Sequence, residues 1–203
     1  EMVSNVSMSL VNMLFNAQLM KFIGQNGVSA FGIIMYASFV FVGVYFGYSV
    51  GVSSVISYHY GAQNCEELGS LLRKCLLTYC IFSVILSTSA ILLAKPIALI
   101  FVRENPELVA LSERAIRFYS ISFYFSGFNI FASSFFTDLN DGFVSGVISF
   151  ARTFFFQVIA ILVFPVLFGP DSLWFAVLFA ELCSLGLSVA FLFAKEKKYH
   201  YFA

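Results

Sequence analysis

The sequence predicts an all-α polytopic membrane protein, a bundle of six transmembrane helices, and three observations support this prediction. Hydrophobic residues make up 60% of the chain and charged residues only 11%, against roughly 25% charged residues in an ordinary soluble domain. No Asp, Glu, Lys or Arg occurs from residue 22 to residue 65. The polar residues within the apolar runs recur three or four positions apart, which is typical of a helix and not of the two-residue alternation of a membrane barrel. The bilayer is therefore expected to be the solvent of this chain.

A membrane-spanning helix needs about 20 predominantly apolar residues. Six segments meet this requirement, at roughly 2–20, 29–58, 75–94, 116–137, 145–168 and 173–194. The breaks between them are rich in Gly, Asn, Pro and Asp, which favour turns. None of the breaks is long enough for a soluble domain, so residues 1–203 are predicted to form one transmembrane unit. Lys and Arg are divided almost evenly between the two sides, so charge alone does not set the topology.

The first predicted helix carries a row of polar side chains on an otherwise apolar surface. Their spacing of three or four residues places them on one helical face: Glu1, Asn5, Ser9, Asn12 and Asn16. Lipid cannot hydrogen-bond with these groups, so the row should face protein or water.

The second predicted helix contains a glycine at every fourth position, at Gly43, Gly47 and Gly51. Such a ladder of small residues lets another helix approach closely.

The third predicted helix holds Cys75 and Cys80. No C-x-x-C pair is present, so all four cysteines of the chain are interpreted as small hydrophobic side chains.

The fourth predicted helix repeats the polar row of the first. Its members again lie three or four residues apart: Ser122, Ser126, Asn129, Ser133 and Thr137. Two such rows predict a shared water-filled cavity for a substrate or an ion. The alternative is hydrogen bonding between helices, worth about 0.6 kcal/mol for each bond.

Single charges interrupt the last two predicted helices, Arg152 in the fifth and Glu181 in the sixth. An ionised group near the bilayer centre costs about 2.5 to 3.5 kcal/mol on insertion scales, so each needs a partner, a cavity or a route to the interface. Arg152 is near enough to a helix end to reach the interface. Glu181 is interpreted either as a carboxylate that exchanges a proton or as an ion-pair partner of Arg152.

Several classes of function are excluded by residues that the sequence does not contain. The chain has zero net charge and scattered basic residues, which argues against a nucleic-acid partner. Its two histidines belong to no zinc motif, and neither a phosphate loop nor the Gly-x-Ser-Gly setting of a rhomboid-type protease occurs. We therefore expect no enzyme activity and no cofactor.

Four blocks of sequence resemble the multidrug and toxic compound extrusion (MATE) family, in order and over essentially the whole chain. The run Tyr58-His59-Tyr60-Gly61-Ala62-Gln63-Asn64 is similar to the end of the eighth helix of that family. A second group of residues is similar to the last two helices of the family: Ser149-Phe150-Ala151-Arg152-Thr153, Pro165, Gly169, Asp171, Trp174 and Ala180-Glu181. The seventh helix of the family is similar to Asn12-Met13-Leu14-Phe15-Asn16, and the tenth helix is similar to Phe135-Phe136-Thr137-Asp138-Leu139-Asn140-Asp141-Gly142.

The resemblance implies the C-terminal six-helix lobe of a twelve-helix, two-lobed transporter in the cell membrane. Such a transporter expels drug-like, often cationic compounds by alternating access, in exchange for H+ or Na+, and its N-terminal lobe would be the partner of this one. The coupling carboxylate lies in the N-terminal lobe of some family members and on the seventh and tenth helices of others. Here Glu1 and Glu181 are the candidates for a carboxylate beside the cavity.

Two alternatives remain open at this point. One is a flippase for lipid-linked oligosaccharides or polysaccharides of the same superfamily, whose cavity is expected to have cationic walls. The other is a membrane scaffold subunit without transport activity, which would leave the two polar rows and Glu181 without a purpose.

Overall fold

The computed structural model describes residues 2–103, 105–199 and 201, with side chains from residue 6 onward, and all regular structure in these ranges is helical. The α-helices are α1 (Met2–Phe22), α2 (Gln25–Gly61), α3 (Cys65–Leu92), α4 (Ala94–Phe101), α5 (Pro106–Ser120), α6 (Phe123–Asp138), α7 (Gly142–Phe150), α8 (Phe156–Phe168) and α9 (Ala176–Tyr199). A π-helical turn, Ala151–Phe155, joins α7 to α8, and a 3₁₀ turn, Pro170–Phe175, precedes α9. The all-α membrane bundle predicted from the sequence is confirmed.

Four helical stretches of the described chain are each long and apolar enough to cross a membrane: Gln25–Gly61, Cys65–Leu92, Gly142–Phe168 and Pro170–Tyr199. The α1 helix has the length of a span, 21 residues, but its polar row lowers its hydropathy. The predicted fourth span, 116–137, falls on α5 and α6, and neither of these helices is among the four candidate spans of the described chain.

The third membrane helix begins at Cys65, earlier than the residue 75 expected from hydropathy. The Asn64 side chain accepts a hydrogen bond from the backbone N–H of Glu67 at 3.2 Å, and Glu66 and Glu67 occupy the first turn. Acidic residues stabilise the positive end of the helix dipole. The apolar run therefore identifies the spanning part of α3, whereas the cap identifies its start.

The segment expected to form one helix from 116 to 137 is broken after Ser120. The Ser122 hydroxyl donates to the carbonyl oxygen of Tyr119 at 2.7 Å, in competition with the regular ladder of backbone bonds. The chain then resumes as α6 at Phe123. The second span is also longer than the predicted 29–58, and the sixth begins with the 3₁₀ turn.

The helices enclose two clusters of buried apolar side chains that lie along the length of the bundle. One contains Val11 to Leu19 of α1, the N-terminal part of α2, α4, α5, α8 and the start of α9. The other contains Tyr45 and Ile56 of α2, together with residues of α3, α6 and α7 and the C-terminal end of α9. Both α2 and α9 contribute to both clusters.

Gly127 of α6 marks the closest approach between helices in the second cluster. A Cβ atom at this position would lie 2.8 Å from Cε1 of Tyr45 and 3.0 Å from Cδ1 of Tyr79. Neither ring is free to move away. The Tyr45 hydroxyl donates to the carbonyl oxygen of Phe123 at 2.8 Å, and the Tyr79 hydroxyl donates to the carbonyl oxygen of Tyr45 at 3.0 Å.

The glycine ladder of α2 does not have the packing role expected from the sequence. A Cβ atom added at Gly43, Gly47 or Gly51 would meet no other described atom within 4 Å. The prediction that a neighbouring helix approaches here is therefore wrong for the described chain. The buried face of α2 instead carries Tyr45 and Ser49.

Asp141 ties the start of α7 to the end of α9. Its Oδ1 accepts from the backbone N–H of Val144 at 3.4 Å, and its Oδ2 accepts from the Tyr199 hydroxyl at 2.8 Å. Oδ2 also lies 3.2 Å from Nζ of Lys195 and 3.7 Å from Nζ of Lys198. Burial raises the pKa of Asp141, but the hydrogen bonds from Tyr199 and Lys195 outweigh that effect and hold the pKa below its usual range.

Replacing Gly127 by Ala should destabilise the lobe by about 1 to 3 kcal/mol, because the added methyl group overpacks against two fixed tyrosine rings. Gly43→Ala is the matched control, since its methyl group has open space and Ala favours a helix. Thermal unfolding of the purified protein in detergent measures the difference. Equal midpoints for the two variants would contradict the packing described for Gly127.

Asp141 should stabilise the fold in a pH-dependent way. Because its folded pKa is lowered, the stabilisation is fully present above the unfolded value of about 4 and disappears as the pH falls through the folded value. The difference in unfolding midpoint between the wild type and Asp141→Asn should therefore be constant near neutral pH and shrink in acid. A difference that grows on acidification would refute this assignment.

Candidate functional site

The most unusual polar group inside the bundle is the buried carboxylate of Glu181 on α9. Arg152 Nε donates to Glu181 Oε1 at 2.9 Å, and Asn129 Nδ2 donates to Glu181 Oε2 at 2.7 Å. The side chain of Glu181 is 2% exposed and that of Arg152 is 15% exposed. The structure therefore contains the ion pair that the sequence analysis left open as one of two alternatives.

Asn129 is fully buried on α6, and both of its N–H donors are used in this cluster. Its Nδ2 also donates to the carbonyl oxygen of Glu181 at 2.9 Å, and its Oδ1 accepts from the Ser188 hydroxyl at 3.1 Å. The amide thus connects α6 to two positions of α9 that lie about two turns apart.

Arg152 lies in the π-helical turn Ala151–Phe155. A π turn accommodates an extra residue in the helix and is frequent at functional sites. The Thr153 hydroxyl of this turn donates to the carbonyl oxygen of Ser149 in α7 at 2.7 Å, which provides that backbone acceptor with a partner. This turn presents the guanidinium group to Glu181.

The ion pair changes the interpretation of Glu181. An isolated charge inside the membrane is costly, and pairing two charges with additional hydrogen bonds lowers that cost. Glu181 receives a hydrogen bond on each of its two carboxylate oxygens, and one donor is a cation. This arrangement supports the interpretation of Glu181 as the ion-pair partner of Arg152.

The polar row at α6 is hydrogen-bonded within the bundle, and it runs from the buried Ser122, Ser126 and Asn129 to the half-buried Ser133 and the exposed Thr137. Ser122 and Ser126 donate to carbonyl oxygens one turn earlier in the chain, at 2.7 and 3.0 Å. The Ser133 hydroxyl bonds with those of Ser145 and Ser149 on α7, at 3.0 and 2.6 Å. Thr137 completes this ladder with a 2.7 Å bond to the Ser145 hydroxyl.

The polar row of α1 has a different environment. Asn16 Nδ2 donates to the carbonyl oxygen of Asn12 at 3.0 Å, and both side chains are half-buried. Ser9 is exposed, while Glu1 and the side chain of Asn5 lie outside the described residues. This row is carried by a helix that packs against α2, α8 and the π turn.

The two polar rows have different neighbours within the described residues. The α6 helix packs among α2, α3, α7 and α9, whereas α1 packs against α2, α8 and the π turn. Asn129 bonds with α9, and Ser133 and Thr137 bond with α7, so the α6 row joins helices within the bundle. A cavity lined by both rows stays a prediction, because Glu1 and the side chain of Asn5 lie outside the described residues.

Some partners in these networks were missed by the sequence reading. Ser145, Ser149 and Arg152 follow one another at spacings of four and three, which is itself a polar row on the fifth membrane helix. Ser188 lies seven residues beyond Glu181, on the same face of α9. Both spacings can be read from the sequence, and each indicates that the residues share one helical face.

An open groove of about 500 Å³ follows the outer side of α7 and the π turn. Its lining is apolar and aromatic: Gly142, Phe143, Gly146, Val147, Phe150, Ala151 and Phe155. None of these side chains belongs to either polar row. The groove and the ion-pair cluster are therefore separate features of the molecule.

The profile described as MatE matches residues 2–163, which is most of the chain. The chain belongs to the MatE family. A comparison with curated proteins found no match.

Solved structures show the same fold as this MatE chain. A MOP superfamily transporter from Pyrococcus furiosus matches with a TM-score of 0.88 and 18% identity over 98% of this chain and 45% of its own. An outward-facing multidrug resistance MATE transporter of the MOP superfamily gives 0.87 and 18% over 99% and 45%. The Vibrio cholerae MATE transporter VcmN in its bent form gives 0.88 and 18% over 100% and 46%.

The coverage identifies what part of a MatE protein the chain represents. Nearly all of the chain superposes, but it spans less than half the length of each solved transporter. The described bundle is therefore a half-length lobe. Within this MatE lobe, the Arg152–Glu181 pair connects the fifth and sixth membrane helices, and Asn129 adds the fourth.

Removing one partner of the ion pair should harm the MatE lobe more than removing both. Arg152→Gln or Glu181→Gln alone leaves a buried charge without its partner, at a cost of about 3 to 5 kcal/mol. The double variant has no buried charge, so part of that loss should be recovered, with a coupling of about 0.5 to 3 kcal/mol. Unfolding midpoints of the wild type, both single variants and the double variant provide the measurement.

The exposed pair Arg114–Asp171 is the control for this cycle. Its atoms lie 3.3 Å apart, but the two side chains are 59% and 60% exposed. An exposed pair contributes about 0 to 1 kcal/mol, so Arg114→Gln and Asp171→Asn should have small effects. Strictly additive losses for Arg152 and Glu181 would show that these residues act independently.

Proposed function

We propose that this chain is the C-terminal lobe of a secondary active multidrug efflux transporter of the cell membrane. The complete protein would exchange drug-like, often cationic compounds for H+ or Na+ by alternating access, with an N-terminal lobe as its partner and without enzymatic chemistry. The observation that supports this proposal best is the match of nearly the whole chain to less than half of several MATE transporters.

The hydrogen bonds and the ion pair within the lobe support transport by alternating access. Alternating access proceeds largely by movement of one repeat or bundle against the other. A moving lobe must keep its own helices in place, and the Arg152–Glu181 pair, the Asn129 amide and the serine ladder of α6 and α7 connect helices across its interior. We infer that these bonds keep the lobe rigid while the interface between lobes opens and closes.

Efflux is favoured over the flippase alternative by the electrostatics of the membrane helices. A flippase for lipid-linked oligosaccharides is expected to present unpaired cations to a polyanionic substrate. Arg152, the basic residue within the predicted fifth span, is neutralised by Glu181 at 2.9 Å. The scaffold alternative is less favoured because the solved neighbours with this fold are transporters.

Export of an ethidium-like dye by the full-length, two-lobed chain in proteoliposomes tests the proposal. Dye should move against its gradient when a pH or Na+ gradient is imposed, and collapse of the coupling gradient alone should stop it. Vesicles without protein are the background, and Gly43→Ala is a control for handling, since its methyl group contacts nothing. A folded protein that moves no dye under either gradient, or that instead translocates a lipid-linked oligosaccharide, would contradict the efflux assignment.

A further inference from the structure

The groove along the outer side of α7 extends from a charged turn into apolar surroundings. It starts at Gly142, directly after Asp141, and it ends at Phe155, the last residue of the π turn. Charged groups avoid hydrocarbon, so the end at Asp141 belongs at the membrane–water interface. At 1.5 Å per residue the groove is about 20 Å long. One leaflet of a bilayer with its headgroups is also about 20 Å thick, so the groove has the depth of a single leaflet.

The walls of the groove are aromatic and open to the outside of the lobe. Phe143, Phe150 and Phe155 line it and are 78%, 42% and 52% exposed. Gly146 lies between them, and a Cβ atom added there would meet no other described atom within 4 Å. The volume of about 500 Å³ lies within the range of ligand pockets, about 300 to 1,000 Å³. Apolar walls of this length suit a hydrocarbon chain, which packs through many dispersion contacts.

Two lysines of α9 lie at the start of the groove. Nζ of Lys195 is 3.2 Å and Nζ of Lys198 is 3.7 Å from Oδ2 of Asp141. One carboxylate therefore faces two ammonium groups, which leaves one positive charge in excess. The other charges in this last part of α9, those of Glu196 and Lys197, are equal and opposite. Lys198 is 61% exposed, so its long side chain can reach an anion outside the protein.

We propose that this groove binds one acyl chain of an anionic phospholipid, whose phosphate group lies against Lys198. The acyl chain packs between the phenylalanine rings along α7, and the phosphate balances the excess charge around Asp141. A zwitterionic phospholipid offers the same acyl chain, but the ammonium group of its headgroup cancels the charge of the phosphate. The site should therefore prefer an anionic lipid, because each basic residue near a membrane surface attracts anionic headgroups.

A helix from the N-terminal lobe or from a second copy of the chain fits the observations less well. Such a helix could cover the aromatic walls of the groove. A membrane-spanning helix carries few anionic side chains, however, so the excess charge at Lys198 would remain without a partner. A phospholipid satisfies both ends of the groove with one molecule.

Native mass spectrometry of the full-length protein, released from detergent micelles, tests the lipid site without requiring transport. The protein is incubated with phosphatidylglycerol or with phosphatidylcholine that carries the same acyl chains, and the lipid-bound fraction is measured. The wild type should retain one phosphatidylglycerol molecule in preference to phosphatidylcholine.

Two variants test the two ends of the groove separately. Gly146→Leu fills the groove and should remove the bound lipid whatever its headgroup, whereas Gly186→Leu, at another open position, should retain it. Leu favours a helix, so both variants should fold. Lys198→Gln should lower the preference for phosphatidylglycerol about fivefold, the effect of one basic residue at an anionic surface. Lys74→Gln, which removes an exposed lysine from α3, is the matched control and should leave the preference unchanged.

The outcomes distinguish the lipid from the other occupants. Equal retention of the two lipids by the wild type, or binding that Gly146→Leu leaves unchanged, would show only the ordinary lipid surroundings of a membrane protein and would overturn the site. Retention of neither lipid, as expected if a helix of the N-terminal lobe covers the groove, would overturn it as well. A dimer that Gly146→Leu dissociates would identify a second copy as the occupant. No outcome depends on dye export, so the lipid site and the proposed function are tested independently.

Discussion

The lobe depends on a constraint set by its solvent: a polar group inside the membrane must find its partner within the protein. The Arg152–Glu181 pair is the clearest case, because two charges that are each costly in hydrocarbon offset one another at 2.9 Å. Asn129 then occupies the second oxygen of Glu181 and connects a third helix. Because these groups are satisfied only in one arrangement of the helices, the cluster selects that arrangement as well as stabilising it.

The same constraint explains the serine ladder between α6 and α7. Ser133 bonds with Ser145 and Ser149 there, where the individual bonds are weak but the alternative is an unsatisfied hydroxyl. The constraint is not met everywhere in the described chain: Asp138 Oδ1 accepts from Ser53, but its Oδ2 is buried and has no partner among the described residues.

The fold class could be predicted from the sequence because hydropathy alone separates a membrane chain from a soluble one. The helix bounds could be predicted less well, because the start of α3 depends on the Asn64 cap and the break before α6 depends on one hydrogen bond from the Ser122 hydroxyl. The charges of Arg152 and Glu181 were recognised as candidate partners from their positions on consecutive helices. The hydrogen bonds that connect this pair to Asn129 could not be predicted, because they depend on the rotation of α6 about its axis. The neighbours of the α6 row could not be predicted for the same reason: a polar row shows which face of a helix is polar, but not which neighbour it meets.

The continuity of α2 through both apolar clusters has a consequence for cooperativity. This helix has 37 residues and is about 55 Å long, well beyond the hydrocarbon thickness of about 30 Å, and its two halves pack into different clusters. Loss of order in one cluster therefore removes packing from a helix that the other cluster also needs, and α9, which contributes to both clusters, has the same effect. We therefore expect the two clusters to lose their order together and not one at a time.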